Sequence, residues 1–193
     1  HRLAQIDIEN PGLKNSFSGI IVPKKTVGEL RMILENDNDD ISISISNNKI
    51  RFANKSLTLT SKIVDGTFPD YKRVIPINND KKLKVNASEF SEAVDRVSTV
   101  SSERSRAVKL TLSSGSLKLS VNSPENGKAE DEILVNYDQD NLEIGFNGRY
   151  LQELASQVDG KNVEFSFKSS GDPALMRDVD DESAIYVVMP MRV

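Results

Sequence analysis

Apolar and polar positions along the chain follow one plan that recurs. In 19–34 (GIIVPKKTVGELRMIL), 82–97 (KLKVNASEFSEAVDRV) and 142–158 (LEIGFNGRYLQELASQV), a short apolar run leads to a junction residue, Pro23, Asn86 or Asn147. Beyond each junction one apolar stripe recurs at helical spacing: Val27, Leu30, Leu34; Phe90, Ala93, Val97; Leu151, Leu154, Val158. The junctions are good helix starts. Asn86 followed by Glu89 is a capping-box pattern, Asn147 is a favoured N-cap, and proline is tolerated where a helix begins.

Period-two alternation follows each helix, in 41–53, 108–121 and 163–176, and predicts strands with one wet face. Turn chemistry at Asn47-Asn48, Ser114-Gly115 and Ser170-Gly171 folds each stretch into a hairpin. A further strand is expected after each hairpin, at 56–63, 132–137 and 184–189. The unit is therefore β-α-β-β-β, repeated every sixty residues or so: Pro23 lies 63 residues before Asn86, and Asn86 lies 61 before Asn147. One unit has too little core to stand alone, whereas two side by side make a domain of ordinary size. The fold class is α+β, with 71–193 a complete two-repeat domain and 1–70 a partial one. The opening HRLAQIDIE already alternates like a strand and lacks an initiator methionine, so a longer parent protein is expected.

Composition narrows the chemistry. The 193 residues contain no cysteine, which excludes disulfides and thiol chemistry, and a single histidine, His1, which leaves triads and histidine metal sites without their usual parts. No apolar run approaches the length of a membrane span, and a soluble, cytoplasmic protein is expected. The net charge of -4 argues against a grip on nucleic acid by bulk electrostatics, so any such role needs charge arranged on one face. The acidic run DVDDES at 178–183 lacks the glycine and final glutamate of a calcium loop and reads as a surface loop. Neither a metal nor a cofactor is expected, and no enzyme motif is present.

The opening HRLA, the segment TSKIVDGTFPDYKRVIP at 60–76 and the ending YVVMPMRV, each in its place in the repeat, resemble the beta-subunit family of bacterial DNA polymerase III, the sliding clamps. The resemblance covers the whole chain. It implies the DNA clamp fold, with helices lining one face and antiparallel sheet on the other, and a chain matching the second half of the middle domain (1–70) plus the last domain (71–193). It further implies a homodimeric ring that encircles double-stranded DNA, slides without sequence specificity, performs no chemistry, and docks replicative polymerase, clamp loader and repair proteins through short peptides bearing glutamine and bulky apolar side chains.

Carried onto this sequence, the family's peptide groove falls on Arg2, Leu3, Pro69, Arg73, Val74, Pro173, Val187, Met189, Pro190, Met191 and Arg192. Val193 stands where leucine is common, and Pro173 where a small polar residue is. Methionine is flexible and polarizable, suited to a surface that re-packs around different peptides. For a DNA-lined hole, Lys24 and Lys25 at the start of the first helix are the leading candidates, then Arg149 at the equivalent place on the third. The second helix offers only Arg96 among acidic neighbours, with Arg104 and Arg106 in the loop beyond. The competing reading is a β-rich structural or interaction module with no DNA role, in which these cations are solvated and the ending is simply a last strand.

Overall fold

A computed structural model describes residues 1–9, 19–34, 39–102 and 106–193 of the chain. They form two units, His1–Glu9 together with Asp70–Val193, and Asn10–Pro69. Strand β1 (Arg2–Ile6) is followed by helix α1 (Lys24–Leu34) and strands β2 (Ser42–Ile45), β3 (Lys49–Ala53) and β4 (Thr58–Lys62). The second repeat is β5 (Lys81–Asn86), α2 (Ala87–Ser98), β6 (Ala107–Ser113), β7 (Ser116–Ser123) and β8 (Gly127–Leu134). The third is β9 (Leu142–Asn147), α3 (Gly148–Ala155), β10 (Asn162–Phe167), β11 (Ala174–Asp178) and β12 (Ala184–Val188). A short 3-10 turn, Tyr71–Val74, precedes the second repeat.

The predicted caps form. The Asn86 side chain accepts the Glu89 N–H at 3.0 Å and the Asn147 side chain accepts that of Arg149 at 3.0 Å, each satisfying a donor that the first helical turn leaves unpaired. The stripes on α2 and α3 are buried: Phe90, Ala93 and Val97 on one, Leu151 and Leu154 on the other. Helix α3 stops at Ala155, short of Val158, which still packs against the core from the loop. Gly115 takes φ +74° in the β6–β7 turn, a conformation that glycine adopts without steric cost.

In the larger unit, each repeat gives its leading strand to the other. Strand β5 hydrogen-bonds to β10 in the sheet β1-β12-β11-β10-β5, while β9 hydrogen-bonds to β6 in the sheet β8-β7-β6-β9. Alternation along a strand tells which face is wet but not which strand lies alongside, so this exchange is invisible in the sequence. One aromatic row runs through the shared core: Phe90 lies 5.1 Å from Phe165, which stacks at 5.9 Å on Phe167, which lies 6.3 Å from Phe146. Each ring pair adds directional attraction to its buried area.

Two expectations are corrected. The strand expected at 132–137 runs instead over Gly127–Leu134, because Ala129, Asp131 and Ile133 face inward with too little apolar contrast to be read as alternation. Tyr137 lies beyond its end, buried, and its hydroxyl donates to the Asp140 carbonyl. The turn expected at Ser170-Gly171 is part of a wider connection, 168–173, between β10 and β11. The first nine residues pack with Asp70–Val193, since β1 pairs antiparallel with β12 from Arg2↔Val188 to Ile6↔Ala184.

The unit Asn10–Pro69 buries little. Its three-stranded sheet β2-β3-β4 contributes Ile50 and Phe52 to burial, but Val27 on the α1 stripe is 53% exposed and Leu34 is also exposed. That is the outcome foreseen for one repeat by itself. The stretch before Pro23, expected as a strand, makes a single bridge, Ile21 with Val64.

Strand β8 lies at a sheet edge and carries exposed charge at Lys128, Glu130 and Glu132. Glu130 accepts Lys118 Nζ at 2.8 Å and Lys128 Nζ at 2.5 Å, and hydrogen bonds from these two ammonium groups, Lys118 first, hold its carboxyl at about 2 against the usual 4.5.

Phe165→Ala removes the ring between Phe90 and Phe167 and is expected to destabilise the larger unit by about 3–5 kcal/mol, whereas Val27→Ala on the exposed stripe changes stability by under about 0.5 kcal/mol, both read by urea denaturation. Because Glu130 has a depressed folded pKa, its contribution is present above its unfolded pKa near 4.5 and is lost as pH falls towards about 2. NMR titration is expected to place its midpoint there, and Lys118→Met to move it up.

Candidate functional site

The last residues of the sequence leave one sheet and reach the other. Strand β12 ends at Val188, but the Met189 N–H still donates to the His1 carbonyl at 2.9 Å. Past Pro190, the Met191 N–H donates to the Gly145 carbonyl on β9 at 2.8 Å. Two main-chain bonds therefore hold the segment, and between them the side chains of Met189 and Met191 are each 37% exposed.

Met191 forms part of the wall of two cavities. One, of about 370 Å³, is lined by Arg2, Arg106, Asn147, Arg149, Tyr150 and Glu153 as well. The other, of about 590 Å³, is bounded by Gly145, Ser170, Gly171, Pro190 and Arg192 among others. In the first, the Arg2 guanidinium lies 4.3 Å from the centre of the Tyr150 ring and pairs with Glu153. Glu153 also binds Arg149 Nε at 2.8 Å, so one carboxylate on α3 fixes two guanidinium groups. A cation above an aromatic face gains electrostatic attraction without giving up its remaining donors.

The structure thus brings together Arg2, Met189, Pro190, Met191 and Arg192 of the expected groove. Leu3 pairs across β1–β12 with Val187, which is 1% exposed, so that residue is buried in the sheet and not open surface. Pro173 is half-buried in the β10–β11 connection, its carbonyl accepting Asn79 Nδ2 at 2.9 Å. Arg73 and Val74 are exposed on the 3-10 turn, where Arg73 pairs with Asp70 at 2.8 Å, and neither lines the two cavities. Pro69 is exposed and belongs to the other unit.

Tyr150, Glu153 and the lining role of Asn147 were not foreseen. Tyr150 lies one helical turn before Leu154, partly buried against the edge of the core, so its pattern reads as an extension of the stripe and gave no separate signal. Glu153 gave no signal, since a glutamate one turn after an arginine is usually a helix surface pair.

The four cations expected to face DNA differ. Lys24 and Lys25 are exposed at the start of α1, and among the described residues neither has an ion-pair partner. Arg149 is held by Glu153, and Arg96 by Asp131 at 2.8 Å and Glu92 at 3.7 Å. Arg104 lies outside the described residues. In the acidic run, Asp178 accepts the backbone N–H groups of Gly160 and Asp180, each at 2.9 Å, and Asp181 accepts that of Ser183 at 2.8 Å, so these carboxylates shape turns. Among the described residues no helix is long and apolar enough to cross a membrane.

Comparison with known proteins gives the same frame. Residues 72–192 match the family model for the C-terminal domain of the DNA polymerase III beta subunit, and residues 1–70 match that for its central domain. The beta sliding clamp of Caulobacter vibrioides is 42% identical over 193 residues, covering 100% of this chain and 52% of the relative. That of Escherichia coli K12 is 37% identical over 192 residues, with the same coverage. Among solved structures, the Bartonella birtlesii sliding clamp bound to griselimycin superposes with a TM-score of 0.97 at 50% identity, over 100% of this chain and 52% of that one. The chain spans about half the length of the curated relatives it matches. With family models over both of its parts and the clamp fold throughout, the chain belongs to the DNA polymerase III beta-subunit family of sliding clamps.

Proposed function

We propose that the protein carrying this chain is a non-catalytic processivity factor, a homodimeric ring around double-stranded DNA that slides without sequence specificity in the cytoplasm. In this reading 1–70 is the latter half of the middle domain and 71–193 the last domain. The groove around 189–193 docks replicative polymerase, clamp loader and repair proteins through short peptides. The observation that carries the docking role is the segment itself: its backbone is tied at Met189 and Met191 while both residues remain partly exposed, beside a cavity in which Arg2 is already oriented by Tyr150 and Glu153. A groove with its wall fixed and its contact atoms polarizable can take several peptides without ordering the backbone anew for each.

Retention by encirclement needs only weak phosphate contacts, which is compatible with a net charge of -4. Lys24 and Lys25 are the contacts favoured here. Arg149 and Arg96 are partly neutralised by their own carboxylates, although exposed pairs of this kind are weak enough to exchange for phosphate.

Calorimetry with a polymerase-derived peptide bearing glutamine and bulky apolar side chains is expected to show saturable binding to the intact chain. Deletion of 189–193 should weaken it by about tenfold or more while circular dichroism stays unchanged, in line with the loss of a buried anchor cluster. Absence of binding by the folded, intact chain would overturn the docking assignment. For DNA, the Lys24→Ala, Lys25→Ala double variant is expected to lower the salt dependence of duplex binding by about 0.9 in log–log slope for each phosphate that is no longer neutralised. An unchanged slope would remove both lysines from the DNA-facing surface.

A further inference from the structure

Among the described residues, three isolated bridges join strands outside the ladders, and they occupy one place in the repeat. Each starts two residues before the helix junction: Ile21 bridges to Val64, Lys84 to Asn136, and Gly145 to Met191. The fold therefore accepts a branched or a long side chain at this place. In the third repeat it is glycine, and there the residues at and beyond the bridge lie close over the strand. A Cβ built on Gly145 would stand 2.4 Å from Val193 Cγ1, 2.6 Å from the Met191 carbonyl oxygen and 2.9 Å from Val193 Cγ2. Carbon atoms in real contact stay well over 3 Å apart, and one of the obstructing atoms is main chain, which no rotamer change can move.

The geometry points to Gly145 as the positioning residue of the docking groove, setting where Met191 stands without itself offering a side chain to a peptide. This rests on the reading of 189–193 as the docking segment. Met191 walls both cavities, and its place is fixed by the 2.8 Å bond from its N–H to the Gly145 carbonyl. Any side chain at 145 pushes the Met191 carbonyl away, breaks that bond and lifts Val193. The segment then hangs from Met189 alone, and a peptide has to order it on binding. Neither the turn type nor the strand requires glycine here: β9 continues on both sides in regular register with β6, with Gly145 opposite Lys109. Glycine inside a strand, where it forfeits packing, commonly marks such a close approach.

The test compares four forms of the full chain: unaltered, Gly145→Ala, Lys84→Ala as the equivalent place in the preceding repeat, and the form lacking 189–193. Calorimetry uses the polymerase-derived peptide, and methyl NMR follows Met191 with the buried Met176 as internal reference. Gly145→Ala is expected to weaken the peptide by about tenfold or more, the cost of ordering several side chains on binding, and Lys84→Ala to leave it unchanged. The Met191 methyl resonance should move to the position of a solvated methionine while that of Met176 stays. Should Gly145→Ala fail to fold, Met191→Pro against Met191→Ala removes the same bond from the other side, and the proline form should bind more weakly than the alanine form. Peptide binding and a Met191 resonance that both ignore Gly145→Ala, with deletion of 189–193 still abolishing binding, overturn the inference and leave the docking role standing. If the deleted form binds like the intact chain, the docking role fails, and the Met191 resonance still decides whether Gly145 seats the segment.

Discussion

The exchange of leading strands is the constraint on which the larger unit depends. Helices α2 and α3 pack against each other, and each covers sheet that its own repeat only partly supplies: β5 needs β10 for its ladder and β9 needs β6. Phe165 therefore comes from the third repeat to meet Phe90 of the second, and no cut through the connection between repeats separates two cores. Hydrophobic burial here is a property of the pair. The Asn10–Pro69 unit, with one helix among its described residues, shows the alternative in its exposed stripe residues Val27 and Leu34.

The same closure produces the groove. Once β12 lies in one sheet and β9 in the other, a segment running on from β12 has to pass over the step between them, and Met191 bonds to Gly145 where it lands. On the far side of that step, Lys84 and Asn136 exchange two main-chain bonds, N to O at 3.1 and 3.0 Å, and close the other seam. Both seams are antiparallel bridges, and their surfaces are opposite. At one a lysine on β5 pairs with Glu164, and at the other methionines face solvent beside an arginine–tyrosine stack.

Local patterns made the three helices, their caps and most hairpins legible, because Asn86 and Asn147 act within a few residues of themselves and the stripes need only a 3.6-residue period. What failed was contrast or distance. Gly127, Lys128, Glu130 and Asp131 carry no apolar alternation, so the start of β8 was hidden even though it is a regular edge strand. Arg2 and Glu153 meet across most of the chain's length, and nothing in either neighbourhood announces the other. Of the residues that line the two cavities, Arg2 and Met191 were legible through the family motif. Their supports, Tyr150 and Gly145, were not, since the work of each depends on a segment distant in sequence.

Two polypeptides that trade an identical element make a domain-swapped dimer, and the larger unit has that architecture written into a single chain. Association of two separate repeats would depend on protein concentration and would carry the loss of translational freedom. The short connection between β8 and β9 replaces that bimolecular step with an effective concentration set by linker length. It also frees the copies from symmetry. A true dimer would have to carry the same residue at both seams, whereas the joined form keeps lysine at one and glycine at the other, so the surface of one seam can change while its twin stays as it was.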